Sequence, residues 1–178
     1  MEITPALRAT RFSQLKPGEL FIFPNGPASA VALAAADPTR DGDMVMIPLG
    51  PGLRPEMVAR IMEPQHSDVL SFGTDYEVRL PADPRGWSIE MSPAEKPCFI
   101  LTAGPSDQKL FLRANFSPDA EFRPCYIDMK EGRILASTSQ LRPAYLVPPS
   151  IFGYAVEWAL LTRESEPRVI LSYPAQKV

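Results

Sequence analysis

Proline is the residue that most restricts the fold of this chain. There are 21 prolines among the 178 residues, about 12%, against roughly 5% in average proteins. They are scattered between short apolar runs and do not form a proline-rich tract. Because proline lacks a backbone N–H and ends helices, this spacing excludes long helices and is typical of short strands joined by turns. We therefore predict an all-β fold.

Short runs that alternate apolar and polar residues, or are rich in β-branched and aromatic residues, recur between the prolines. In the last pair of runs, four residues share one strand face by the two-residue period, namely Tyr154, Val156, Trp158 and Leu160. The residues that can lie opposite them are Val169, Leu171 and Tyr173. We expect Trp158 to be buried. The predicted strands are residues 19–23, 29–35, 44–49, 69–72, 76–80, 87–91, 98–102, 109–114, 126–129, 133–137, 152–161 and 168–173.

Sequence similarity between distant segments of the chain suggests that one strand unit is repeated. The phrase SQLKPGELFIFP near the start resembles SQLRPAYLVPPSIF near the end, and the same offset aligns AVALA with AVEWA. A weaker third copy lies between them, beginning near FILTAGP. Self-similarity of this kind usually means that one supersecondary unit is used several times around a shared core.

The repeat leads to a prediction for the whole chain. We predict a single compact domain over residues 1–178 with a barrel-like or two-lobed β fold. The repeated strand-plus-hairpin units are predicted at about residues 13–50, 97–136 and 139–176, with a helix-containing insertion at about 54–96.

One short helix is predicted near residues 55–63, in the segment LRPEMVARIMEP. Pro55 suits the first helical position, Glu56 complements the positive helix end, and Pro64 stops propagation. Four residues at helical spacing form an apolar stripe that we expect to cap one end of the barrel. They are Met57, Val58, Ile61 and Met62.

Charge and hydropathy argue against several classes of partner. The formal net charge is −3, so no global basic field gathers phosphates, which argues against nucleic-acid binding. No apolar run approaches the roughly 20 residues that a membrane-spanning helix needs, and the first residues lack a signal-peptide pattern. We expect a cytoplasmic protein without a membrane partner, in which Cys98 and Cys125 are unpaired core residues.

The chain offers no convincing set of metal ligands. Its one histidine, His66, and two distant cysteines cannot complete a zinc site without carboxylates, and we expect His66 in a solvated loop. The stretch DPTRDGDMVMIP imitates the first half of a calcium loop, but Pro48 stands where a bidentate glutamate is needed. Asp41 and Gly42 suit a hairpin turn instead. We predict no metal and no cofactor.

A long loop gives the leading hypothesis for function. The short acidic loop DPTRDGD of the first repeat corresponds to RANFSPDAEFRP in the second, which gains aromatic and arginine residues. Such residues are enriched among interface hot spots, and binding residues tend to lie on loops held by a rigid scaffold. We expect a non-enzymatic binding or assembly module that contacts a protein partner or a small ligand. The predicted binding residues are Arg113, Phe116, Phe122 and Arg123.

Two alternatives stay open. Both phenylalanines of the loop could instead fold back into the core, as large apolar side chains usually do. The protein could also be a carboxylate-dependent hydrolase or lyase with its site in a barrel mouth, using Asp75, Glu77 or Asp128. A concave pocket that holds two of these carboxylates would favour the enzyme. A homo-oligomer is compatible with either function.

Overall fold

The structure is a computed structural model, and it is all-β with two sheets. It describes residues 7–25, 28–37, 40–50, 58–59, 67–80, 82–83, 87–88, 98–102, 110–116, 123–135, 151–155 and 158–173. Within these residues the only helical segment is a 3-10 turn at Phe12–Gln14, and no helix is long and apolar enough to cross a membrane. The strands are β1 (Arg8–Arg11), β2 (Leu20–Asn25), β3 (Ala28–Ala36), β4 (Met44–Gly50), β5 (Val58–Ala59), β6 (Asp68–Gly73), β7 (Tyr76–Arg79), β8 (Trp87–Ser88), β9 (Cys98–Thr102), β10 (Leu110–Phe116), β11 (Arg123–Asp128), β12 (Arg133–Leu135), β13 (Ile151–Ala155), β14 (Trp158–Thr162) and β15 (Val169–Tyr173).

The large sheet contains twelve of these strands. Ten follow the order β1-β6-β2-β3-β12-β11-β10-β9-β13-β8, while β4 pairs with β3 and β5 pairs with β10. The small sheet has the order β15-β14-β7. Among the described strands no pairing joins β1 to β8, so the large sheet is not closed into the predicted barrel.

The predicted helix at residues 55–63 is wrong. Val58 and Ala59 are extended and pair in parallel with Asn115 and Phe116 of β10, whereas the rest of the predicted helix lies outside the described residues. The pairing has a physical reason, because β9 covers β10 only from Leu110 to Arg113 and leaves the next backbone groups to another strand. A short apolar run containing β-branched valine fits that position as well as it fits a helix.

The predicted repeat is not confirmed as a repeated structure. The first two units each contain a three-stranded antiparallel meander, β2-β3-β4 and β9-β10-β11. In the third unit, β13 pairs with β9 and β8 in the large sheet, while β14 and β15 belong to the small sheet. The single strand predicted at residues 152–161 is therefore wrong, because it consists of two strands in different sheets.

Two predicted hairpins are confirmed. Between β3 and β4, Asp37 N donates to Asp43 O at 3.0 Å, and Gly42 has φ +84° as this tight turn requires. Between β14 and β15, Trp158 pairs with Tyr173 and Leu160 pairs with Leu171. Trp158 is 4% exposed, and its ring meets Phe99 of the large sheet edge to face at 5.3 Å.

Strand β3 divides two hydrophobic clusters, because its residues alternate between two buried faces. One face carries only alanines, whose small side chains leave room for three phenylalanines. The other face carries larger residues and belongs to the core between the two sheets. The cluster on the alanine face contains Ala30, Ala32 and Ala34 of β3 with Phe12, Phe21 and Phe23, and the core cluster contains Val31, Leu33 and Ala35 of β3 with Phe99, Trp158 and Leu160.

A glycine junction holds the two halves of the large sheet together. Strands β2 and β12 both start at one edge of β3 and run in opposite directions. Gly18 N donates to Ala34 O at 2.8 Å, and Ala36 N donates to Gly132 O at 2.9 Å. Both glycines have positive φ, +88° at Gly18 and +62° at Gly132. A Cβ at Gly132 would overlap the backbone of Pro17 and Gly18, so only glycine allows this approach.

Replacing Gly132 should therefore destabilise the protein strongly. We expect Gly132→Ala to lower the free energy of unfolding by about 3 kcal/mol or more, because it adds a steric overlap to the strain of a positive φ. Gly42→Ala is the matched control, since its φ is also positive but no atom lies within 4 Å of the added Cβ. It should cost only about 1 kcal/mol. Equal losses in urea unfolding would show that the junction is not tightly packed.

Candidate functional site

An open cleft of about 850 Å³ lies between the two sheets. This volume is within the roughly 300–1,000 Å³ of typical small-molecule sites. One wall is formed by Thr74, strand β7 and Arg163. The other wall is formed by the start of β10, the end of β11 and the turn that follows β11. The residues that line the cleft are Thr74, Tyr76, Glu77, Val78, Leu110, Asp128, Met129, Lys130, Glu131 and Arg163.

The small-sheet wall is held by the pairing of β7 with β14, which places Arg163 at the margin of the cleft. The Arg163 backbone N donates to the Asp75 carbonyl oxygen at 3.3 Å, and its guanidinium donates to the Tyr76 carbonyl oxygen at 3.2 Å. Arg163 Nε also lies 3.9 Å from the Asp75 carboxylate. Glu77 pairs with Arg79 at 3.3 Å on the exposed side of the strand. The charges of this wall thus already have partners.

The large-sheet wall is a tight turn organised by Asp128. The Asp128 Oδ1 atom accepts hydrogen bonds from the backbone N–H groups of Lys130 at 2.9 Å and Glu131 at 3.2 Å. Gly132 N closes the turn on the Asp128 carbonyl oxygen at 2.8 Å. An aspartate that caps its own turn is a common way to fix such a loop. The turn therefore has a defined shape.

This turn presents two exposed charges, Lys130 and Glu131, to the cleft. Within the part of the chain that the structure describes, neither side chain has a hydrogen-bond or ion-pair partner. Exposed charges of this kind are normally solvated, but here they face a second wall across the cleft. They are the charged groups best placed to meet a ligand.

Tyr76 connects the small-sheet wall to the glycine junction. Its hydroxyl donates to the Gly18 carbonyl oxygen at 3.1 Å, and its side chain is buried. Burial raises the pKa of Tyr76 to about 12. The phenol is therefore protonated at neutral pH and acts as a structural donor, not as a base.

The structure brings together two of the three carboxylates named for the enzymatic alternative. Glu77 and Asp128 both line the cleft, whereas Asp75 contacts Arg163 at its margin. In the sequence, nothing distinguishes Lys130, Glu131 or Arg163 from other charged residues. The segment DMKEGR does have the Asp and Gly positions of a hairpin turn, which is the one local signal that could have indicated it.

Of the four predicted binding residues, only Arg113 has a described side chain, and it is not among the described residues that line the cleft. Arg113 is 8% exposed and lies in β10 opposite Tyr126. Phe116 and Arg123 are the last cross-strand pair of the β10–β11 hairpin, so their backbones belong to strands and not to the loop. Phe122 lies outside the described residues, as does His66. A partner that contacts Phe116 and Arg123 stays a prediction.

A second polar cluster has a structural role. The buried carboxylate of Glu19 accepts hydrogen bonds from Ser71 Oγ at 2.9 Å and from the Arg8 guanidinium at 3.2 Å. Ser71 Oγ also accepts a hydrogen bond from Gly73 N at 2.9 Å. Because Ser71 is 1% exposed, its hydroxyl cannot reach a substrate. The cluster fastens β1 and β6 to the start of β2.

The thiol of Cys125 is also structural. Cys125 is free and buried, as expected, and burial raises its pKa to about 12, so it is not a thiolate nucleophile at neutral pH. The side chain of Cys98 lies outside the described part of the structure. Among the described residues, no group of three or more His, Cys, Asp or Glu side chains could hold a metal ion.

No protein-family model, curated protein or solved structure matches this chain. The fold and the cleft define it as an all-β protein of two sheets with a charged cleft between them. The chemistry of that cleft is therefore the basis for assigning a function.

The raised pKa values predict a loss of stability in alkali. Between about pH 10 and 12, unfolded chains release the tyrosine proton that folded Tyr76 retains, so the free energy of unfolding falls as pH rises. The raised pKa of Cys125 also lowers the free energy of unfolding as pH rises, beginning at about pH 9. We expect Tyr76 to contribute about 2 kcal/mol of this loss.

Tyr76→Phe should be less stable than the parent protein at neutral pH by about 1 kcal/mol, because it loses a buried hydrogen bond. Its stability should then fall less steeply in alkali, as measured by urea unfolding at a series of pH values. Ser71→Ala is the control, since it also loses buried hydrogen bonds but removes no group that titrates in this range. A Tyr76→Phe slope equal to that of Ser71→Ala would contradict the assignment.

Proposed function

We propose that this protein is a non-enzymatic binding module that holds a small polar ligand in the cleft between its sheets. The observation that carries the proposal is the presence of Lys130 and Glu131 in the cleft lining, with side chains that have no partner among the described residues. Small-molecule sites are typically concave and largely preformed, with apolar surface and a few well-placed polar groups. This cleft is concave and combines three apolar residues with a larger number of charged and polar ones, which suits a polar ligand.

The walls of the cleft support binding because they are fixed before a ligand arrives. Tyr76 joins one wall to Gly18, and Asp128 holds the turn of the other wall through two backbone N–H groups. A site whose groups are already ordered loses less conformational entropy when it binds. The side chains of Lys130 and Glu131, which would contact the ligand, are not needed to hold these walls.

A carboxylate-dependent hydrolase or lyase is the second candidate. It is favoured by one observation, that Glu77 and Asp128 line the same cleft. However, Asp128 already uses Oδ1 to hold its turn, and Glu77 is paired with Arg79. General acid–base catalysis needs two groups that can exchange protons with a substrate. Carboxylates committed to structural contacts fit that role less well than they fit binding.

Blocking the cleft tests the binding function. Thr74 is exposed and lines the cleft, so Thr74→Trp should fill it from the surface. Glu164→Trp is the matched control, because it places the same side chain at an exposed position that does not line the cleft. The parent protein and both variants are incubated with a small-molecule extract of the source organism, washed and denatured. The released compounds are then identified by mass spectrometry.

We expect the parent and Glu164→Trp proteins to retain the same compound, and Thr74→Trp to lose it. Retention by all three proteins, or by none, would contradict a ligand site in the cleft. The enzymatic candidate predicts a different result, in which the parent protein converts an extract component and Glu77→Gln converts it at least about 100-fold more slowly. Recovery of the ligand unchanged would favour the binding module.

A further inference from the structure

We infer that the ligand of this cleft is a small zwitterion with closely spaced charges and an apolar side chain, as in a free apolar amino acid. This inference rests on the proposed binding function and specifies its ligand. It is drawn from the distribution of charge and apolar surface over the cleft walls.

Each wall of the cleft carries both signs of charge. Glu77 and Arg163 lie on the small-sheet wall. The facing wall carries Lys130, Glu131 and Asp128, of which Asp128 already holds the turn through Oδ1. A ligand with only anionic groups would meet carboxylates on both walls, and one with only cationic groups would meet a cation on each. Uncompensated charge in a partly desolvated site is unfavourable, whereas a ligand with both signs can match both.

The two charges without partners locate the charged end of the ligand. Glu77 and Arg163 are already engaged with Arg79 and with Tyr76 and Asp75, whereas Lys130 and Glu131 have no side-chain partner among the described residues. We place the ligand carboxylate at Lys130 Nζ and its ammonium at the Glu131 carboxylate. Because these residues are adjacent in one turn, they suit opposite charges that lie close together, as they do on a single α-carbon.

The apolar part of the lining determines the rest of the ligand. Val78, Leu110 and Met129 contribute apolar side chains to the cleft, and all three are buried or half-buried. An apolar side chain that enters this region removes its surface from water, which favours binding. A wholly polar zwitterion would gain nothing from that contact.

The test uses probes that share one branched alkyl side chain and differ in which charged groups they carry. L-Leucine carries both charges, isopentylamine only the cation and 4-methylpentanoate only the anion. L-Methionine and L-phenylalanine extend the series to other apolar side chains. Isothermal titration calorimetry with the full chain should show that at least one amino acid binds at least about tenfold more tightly than either singly charged probe, since each missing charge removes a charged hydrogen bond.

Two variants then test the placement. Lys130→Met and Glu131→Gln should each weaken binding of that amino acid at least about tenfold, without a change in thermal stability, because neither side chain supports the fold. Lys16→Met and Glu164→Gln are the matched controls, because both residues are exposed and neither lines the cleft. Their binding should equal that of the parent protein.

The outcomes separate the ligand class from the binding function. If a singly charged probe binds as tightly as the amino acids, or if Lys130→Met and Glu131→Gln bind normally, the zwitterion inference is wrong and the cleft remains a ligand site. If no probe binds but the extract experiment recovers another kind of compound, the inference is also wrong and the binding function stands. If neither experiment finds a ligand, the zwitterion inference and the proposed binding function are both wrong.

Discussion

The close approach of two backbone segments at Gly18 and Gly132 is the constraint on which the rest of the structure depends. Strands β2 and β12 start there and leave in opposite directions along one edge of β3, so both halves of the large sheet share that edge. A side chain at Gly132 would separate them. The same junction locates both walls of the cleft, because Gly132 ends the Asp128 turn and the Gly18 carbonyl oxygen accepts the Tyr76 hydroxyl.

Apolar packing between the two sheets holds them together beside the cleft, so the residues that line the cleft need not do so. Trp158 of the small sheet packs edge to face on Phe99 of the large sheet, within a cluster that also includes Leu33 of β3. Such aromatic contacts and the burial of large apolar side chains favour keeping the two sheets together. On the other face of β3, alanines and phenylalanines form a separate cluster. The sheets are therefore held together by apolar packing, and the polar residues at their margin line the cleft.

Features that depend on neighbouring residues could be predicted from the sequence, and features that depend on distant pairing could not. The all-β class, the Asp41–Gly42 turn and the hairpin that contains Trp158 follow from proline spacing, turn residues and two-residue alternation. The strand at Val58 could not be predicted, because it exists only where β9 leaves part of β10 unpaired. Glu77 and Asp128 could be named as candidate carboxylates from the sequence. That Lys130 and Arg163 line the same cleft could not be predicted, because it depends on how the two sheets pack together.

In the proposed ligand site, the residues that hold the wall differ from the residues that present charge to the cleft. The turn is held by Asp128 Oδ1, by backbone hydrogen bonds and by the conformation of Gly132, so its shape does not depend on the side chains of Lys130 and Glu131. Exposed side chains without partners usually contribute little to stability. Substitutions at these two positions can therefore alter the charge offered to a ligand while the wall stays in place. A change at Gly132 or Tyr76 would instead move the wall. The proposed ligand selectivity and the fold would then depend on different residues of the same turn and of the strand that faces it.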